Sequence, residues 1–69
     1  MHKVRSIRRS GEDFTVKSGM FAQTTLTKDE LQDILGVLQS SSEGTSLESG
    51  GKEFFFPKSI QWQLERFFE

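Results

Sequence analysis

Thr27-Lys28-Asp29-Glu30 fixes the start of a helix near the middle of the chain, and the segments on either side must be arranged around it. The four residues form a capping box: the Thr27 hydroxyl accepts from the Glu30 amide while the Glu30 carboxylate accepts from the Thr27 amide. Leu26 and Leu31 flank the box as a hydrophobic staple, and Asp29 and Glu30 lie where the helix dipole favours negative charge. Beyond it, Leu31, Ile34, Leu35 and Leu38 share one stripe of about 100°. The spacing predicts a helix over 28–39 with one face committed to a core.

The segments before the helix read as strands. Residues 3–9 and 14–26 are rich in β-branched and aromatic side chains. Ser10-Gly11-Glu12-Asp13 separates them as a hairpin connection, in which Gly11 can take positive φ. Phe14, Val16, Met20, Ala22 and Leu26 share parity and belong on one face. Ser18-Gly19 interrupts that run, either as a bulge or as a second tight turn; the turn, which gives a three-stranded meander, is the favoured reading. Val4 and Ile7 differ in parity, so the first strand is irregular and is expected at an edge.

After the helix, residues 40–52 hold five serines and three glycines around the lone Leu47. That composition is too poor in apolar area to offset its ordering entropy, and a flexible Ser/Gly-rich loop is expected there. Glu53-Phe54-Phe55-Phe56 reads as a short strand ended by Pro57. In residues 58–68, Ile60, Leu64, Phe67 and Phe68 share one helical stripe. The order β-β(-β)-α-loop-β-α gives an α+β class: two helices on one face of a small, mostly antiparallel sheet, with residues 1–69 as a single domain.

A chain of 69 residues buries only about 60% of its unfolded surface, so its stability is marginal. Small domains compensate with disulfides, metals or association. There is no cysteine and the one histidine is His2, so disulfides are excluded and no zinc site is expected. Association with a partner, or with a second copy, is the device left. The absence of cysteine fits a reducing cytoplasm, and no stretch approaches the ~20 apolar residues of a membrane span. The basic N-terminus lacks the apolar run of a signal peptide. The expected location is cytoplasmic, with no membrane contact.

No set of residues points to catalysis or to a cofactor. Nothing in the sequence orients His2 as a general base. Turn chemistry accounts for Glu12 and Asp13, and capping for Asp29 and Glu30. Gly50-Gly51-Lys52 lacks the upstream glycine and the following Ser or Thr of a phosphate-binding loop, Glu53 standing in that place. The expectation is a protein that is not an enzyme and needs no cofactor.

Binding surfaces are the remaining source of function. Alternation sends Phe54 and Phe56 to one face and Phe55 to the other, while Trp62 projects away from the Ile60/Leu64/Phe67 stripe, between Glu65 and Arg66. Phe55, Trp62, Glu65 and Arg66 are therefore candidate contacts for a protein partner. The net charge of −1 is unevenly spread: residues 1–18 carry +3, residues 28–53 carry −4, and the rest balance. Lys3, Arg5, Arg8, Arg9 and Lys17 make a basic hairpin, the alternative surface, suited to nucleic acid with Phe21 as a stacking face. Protection of an edge strand explains the same cations. Glu30, Asp33, Glu43 and Glu48 form a third candidate, an acidic set that imitates phosphates. The leading expectation is a small protein-binding regulator or inhibitor, of bacterial or viral accessory type. Nucleic-acid binding is the alternative, and self-association stays open.

Overall fold

The parity break between Val4 and Ile7 marks the seam of the fold. The structure, a computed structural model, describes residues 1–19 and 22–69, and the expectations for Met20 and Phe21 lie outside the described residues. The first segment runs as β1 (His2–Lys3) and β2 (Ser6–Ser10). β1 pairs parallel with β6 (Lys52–Pro57), whereas β2 pairs antiparallel with β3 (Asp13–Ser18). At the junction the Val4 amide donates to the Phe55 carbonyl at 2.8 Å, and the Arg5 amide donates to the Lys17 carbonyl at 2.9 Å. The backbone thus changes partner within one residue. Val4 and Ile7 are both buried, which strict alternation forbids and an irregularity between them permits. The expected edge position holds for each sheet taken alone, in the orders β1-β6-β5 and β2-β3-β4. The segment as a whole is nevertheless the join between the sheets and no free edge.

β3 pairs antiparallel with β4 (Ala22–Leu26), with Ser18 opposite Ala22, so the meander forms as favoured. Gly11 opens the preceding two-residue turn at φ 65° while Glu12 keeps negative φ, the pattern of a type II′ hairpin. Phe14, Val16, Ala22 and Leu26 are buried on the shared face. The helix α1 (Lys28–Ser40) begins at its capping box. The Glu30 amide donates to Thr27 Oγ1 at 3.2 Å, and the Thr27 amide donates to Glu30 Oε1 at 3.0 Å. Leu31, Ile34 and Leu38 are buried, with Leu35 half-buried against the same core. At the other end the Leu38 carbonyl accepts from the C-cap Ser41 amide at 3.2 Å and from Lys58 Nζ, which ties the last turn of α1 to the start of the C-terminal helical segment.

The serine-rich segment corrects the expectation of a flexible loop over 40–52. Gly44–Ser49 forms β5, antiparallel to β6, with Ser49 opposite Lys52. Gly50 and Gly51 stand at φ 60° and 76°, two successive positive values that make a type I′ turn. The poverty of β5 in apolar side chains is offset by its partner. Thr45 and Leu47 lie opposite Phe56 and Phe54, both fully buried. Thr24 Oγ1 and Ser49 Oγ, 2.6 Å apart, bring the far strands of the two sheets into contact.

The C-terminal run also departs from one helix over 58–68. Lys58–Ile60 is a 3-10 turn, and α2 covers Gln61–Phe67. Ile60 and Leu64 are buried, while Phe67 and Phe68 close over Phe14 with ring centroids 5.0 and 6.0 Å away. α1 and α2 pack on each other and feed one cluster of buried side chains with all the longer strands of the meander and β6. The fold is α+β and mostly antiparallel, with the two helices on the face that carries Phe54 and Phe56. Among the described residues, no helix is long and apolar enough to cross a membrane.

Candidate functional site

Alternation along the strands decides which side chains the core leaves over. Ser6, Arg8, Thr15, Lys17, Gln23 and Thr25 turn to the outer face, and the register lines them up in two rows. One row is Ser6–Lys17–Gln23 and the other Arg8–Thr15–Thr25. On the second sheet the same face carries the row Lys3–Phe55–Ser46. Because the Arg5 amide is bonded to the Lys17 carbonyl, the cations of the two sheets are neighbours.

Two open hollows border these cations. One of about 390 Å³ covers the meander, with Arg8, Arg9, Lys17, Thr15 and Gln23 in its wall. The other, about 460 Å³, lies where α2 meets the seam, with the buried Val4 and Ile60 in its wall beside Lys3, Arg5, Trp62 and Gln63. No carboxylate lines either hollow. Trp62 is also a wall of a third hollow of about 320 Å³, which it shares with Ser6, Gln63 and Arg66. The indole is 54% exposed and stands as a ridge between the last two.

The electrostatics follow from what these side chains lack. Among the described residues, Lys3, Arg5, Arg8 and Lys17 have no side-chain hydrogen bond or ion pair, while Arg9 Nε donates to the Gly11 carbonyl at 3.3 Å. Several cations without counter-charges over one face raise the local potential and draw anions to it. Asp13 bounds the patch at the start of β3, and the cross-strand pair Glu48 and Glu53 bounds it beyond Phe55.

The candidate residues separate differently from their grouping in the sequence. Trp62 and Arg66, from the aromatic set, stand beside residues 3–6, so they share a surface with Lys3 and Arg5 from the basic set. Phe55 is half-buried, its ring lying over Gly44, where a β-carbon would come within 2.8 Å of Phe55 Cζ. Glu65 is exposed and accepts from Gln61 Nε2 at 3.1 Å, within its own helix. The acidic set does not gather. Glu30 is occupied in the capping box, Asp33 lies on α1, and Glu43 and Glu48 belong to the segment around β5. Among the described residues, no group of three or more His, Asp or Glu side chains is placed to hold a metal ion.

Ser6, Thr15, Gln23 and Gln63 are the polar members of this surface that the sequence did not single out. The parity of Gln23 and Thr25 against the buried Ala22 and Leu26 was their available signal. What set them beside Lys17 and Arg8 is the register of three strands. The fold defines a small α+β protein with a cationic outer face on its meander and an exposed Trp62 on α2 beside the seam. No family model matches the chain, and no curated protein and no solved structure matches it.

Proposed function

We propose that this chain is a non-catalytic binding module whose cationic surface, running from α2 past the seam to the outer side of the meander, holds a short stretch of single-stranded nucleic acid. The observation that supports the reading is an exposed indole beside Lys3 and Arg5 in one hollow, with Arg8, Arg9 and Lys17 around a second, neither lined by a carboxylate. Single-strand binders pair a positive track for the phosphates with aromatic faces on which bases stack, each stack worth about 1–3 kcal/mol. Trp62 supplies the stacking face. Lys3 and Arg5 flank it, and Lys17, Arg8 and Arg9 continue the track across the meander. The net charge of −1 is an average, since the carboxylates of α1 lie outside both hollows.

The test is fluorescence anisotropy of a labelled single-stranded oligonucleotide at 50 and 200 mM salt. Five cations that each release a counterion give a log–log slope of about −3.5, or roughly a 100-fold loss of affinity across that range. Absence of binding at the lower salt ends this reading. The other reading is a regulator that docks a protein through Trp62, Arg5 and Arg66, the residue types that dominate interface hot spots. It predicts a partner contact that survives the salt change and is lost in Trp62→Ala.

A further inference from the structure

We propose that copies of this chain associate head to tail, the Trp62 ridge of one copy seated in a hollow between α1 and β5 of the next. The first support is a match of opposites. Among the described residues of the helices and strands, the exposed large apolar side chains are Trp62 on α2, at 54%, and Val37 on α1, at 51%. Lys3, Arg5 and Arg66 stand around Trp62, in two hollows that no described carboxylate lines. Val37 borders a hollow of about 220 Å³, with Ile34 and Leu47 as further apolar wall, Glu30 and Asp33 as its charged members and no described cation. Among the described residues, Asp33 and Arg66 have no hydrogen bond or ion pair, so both charges are free to meet a partner. Glu65, the one carboxylate of α2, lines neither hollow beside Trp62 and accepts from Gln61 Nε2 within its own helix.

The second support is spacing. Trp62 and Arg66 are four residues apart on α2, as Asp33 and Val37 are on α1, so each pair spans one helical turn, about 5–6 Å. Laid antiparallel to α1 of its neighbour, α2 sets Trp62 beside Val37 and Arg66 beside Asp33 at the same time. A closed apolar cavity of about 150 Å³ takes a benzene ring, so the larger open hollow has room for an indole. Its strand wall is Thr45, Ser46 and Leu47; Ser49, which meets Thr24, is not part of it. The seated ring carries the affinity of such a contact, while an exposed ion pair adds little and fixes the orientation. Both halves belong to one chain, and Trp62 is not in the wall of its own copy's hollow, so a second copy satisfies each half. The halves use different residues, which makes the contact heterologous. Each added copy leaves a free ridge at one end and a free hollow at the other, and association continues as an open chain or closes as a ring. One ring and one ion pair place the contact among the small, transient interfaces.

The test is sedimentation velocity without nucleic acid, from about 1 µM to 1 mM chain, the range of weak contacts. The weight-average mass should rise above the 7.9 kDa monomer with concentration, and Trp62 emission should move to the blue as it does. Val37→Lys should stay monomeric, as should Asp33→Arg, a second variant of the hollow. A chain carrying both Trp62→Ala and Arg66→Glu should stay monomeric too. All four positions are exposed, and circular dichroism checks that each variant is folded. Mixed together, Val37→Lys and the Trp62→Ala, Arg66→Glu chain should form a one-to-one dimer that grows no further, because the intact ridge of the first fits the intact hollow of the second. Three results would each overturn the proposal: a wild-type chain that is monomeric at millimolar concentration, hollow variants that associate as the wild type does, or a mixture in which the two chains stay apart. An oligonucleotide that fails to bind ends the nucleic-acid reading and leaves this one standing, since no nucleic acid enters the sedimentation experiment.

Discussion

Replacing Gly44 by alanine tests the part of the fold that composition argued against. Gly44 stands at φ 145°, a region that L side chains rarely adopt. An added β-carbon would lie 2.4 Å from the Phe56 carbonyl oxygen, 2.8 Å from Phe55 Cζ and 3.0 Å from Pro57 Cα. Two of these three atoms are backbone, so relief requires β6 to move, and with it the buried Phe54 and Phe56. Strained backbone costs about 1–3 kcal/mol, and overpacking adds about 1–3 kcal/mol. The sum, about 4 kcal/mol, compares with a total of roughly 3–10 kcal/mol for a chain of this length. Gly44→Ala should therefore lose most of its stability in a urea melt followed by circular dichroism. Gly36→Ala is the matched control, since Gly36 is helical, exposed and has nothing within 4 Å of an added β-carbon. It should gain about 0.5–1 kcal/mol by removing a flexible residue from a helix interior. If the Gly44→Ala midpoint falls within about 0.5 M of wild type, with a urea slope of about 1 kcal/mol/M, the stated pairing of β5 with β6 is wrong.

Other expectations follow from single contacts. Thr27→Ala removes one half of the capping box and should cost about 1 kcal/mol, which lowers Tm by about 4–8 °C; an unchanged melt would place the start of α1 elsewhere. Trp62→Ala should stay within about 0.5 kcal/mol of wild type, as for other surface changes. Phe54→Ala, at a fully buried ring, should lose about 3–5 kcal/mol. Equal losses in those two variants, or blue-shifted Trp62 emission in the free monomer, would put the indole in the core and remove the ridge from the candidate site.

The legible parts of this protein were those whose cause lies within a few residues. A capping box satisfies its donors three positions away, so Thr27 and Glu30 announce α1 without reference to the rest of the chain. A stripe or an alternation depends only on the geometry of its own helix or strand. That is why the buried faces of α1, β3, β4 and β6, and the outward Trp62, were readable. β5 was not, although Gly50-Gly51 is a hairpin signal, because Thr45 and Leu47 gain their cover from Phe54 and Phe56 on another strand. A composition count cannot see that partner. The seam is a similar case: the parity of Val4 and Ile7 showed an irregularity, but only pairing to Phe55 on one side and Lys17 on the other turned it into a join. The site followed the same division. Sequence identified the aromatic and basic residues separately, each from its own local pattern. The packing of α2 against the seam decided that Trp62 stands beside Arg5 and Lys3, because contacts between a helix and distant strands are set by the shared core and not by either element's own pattern.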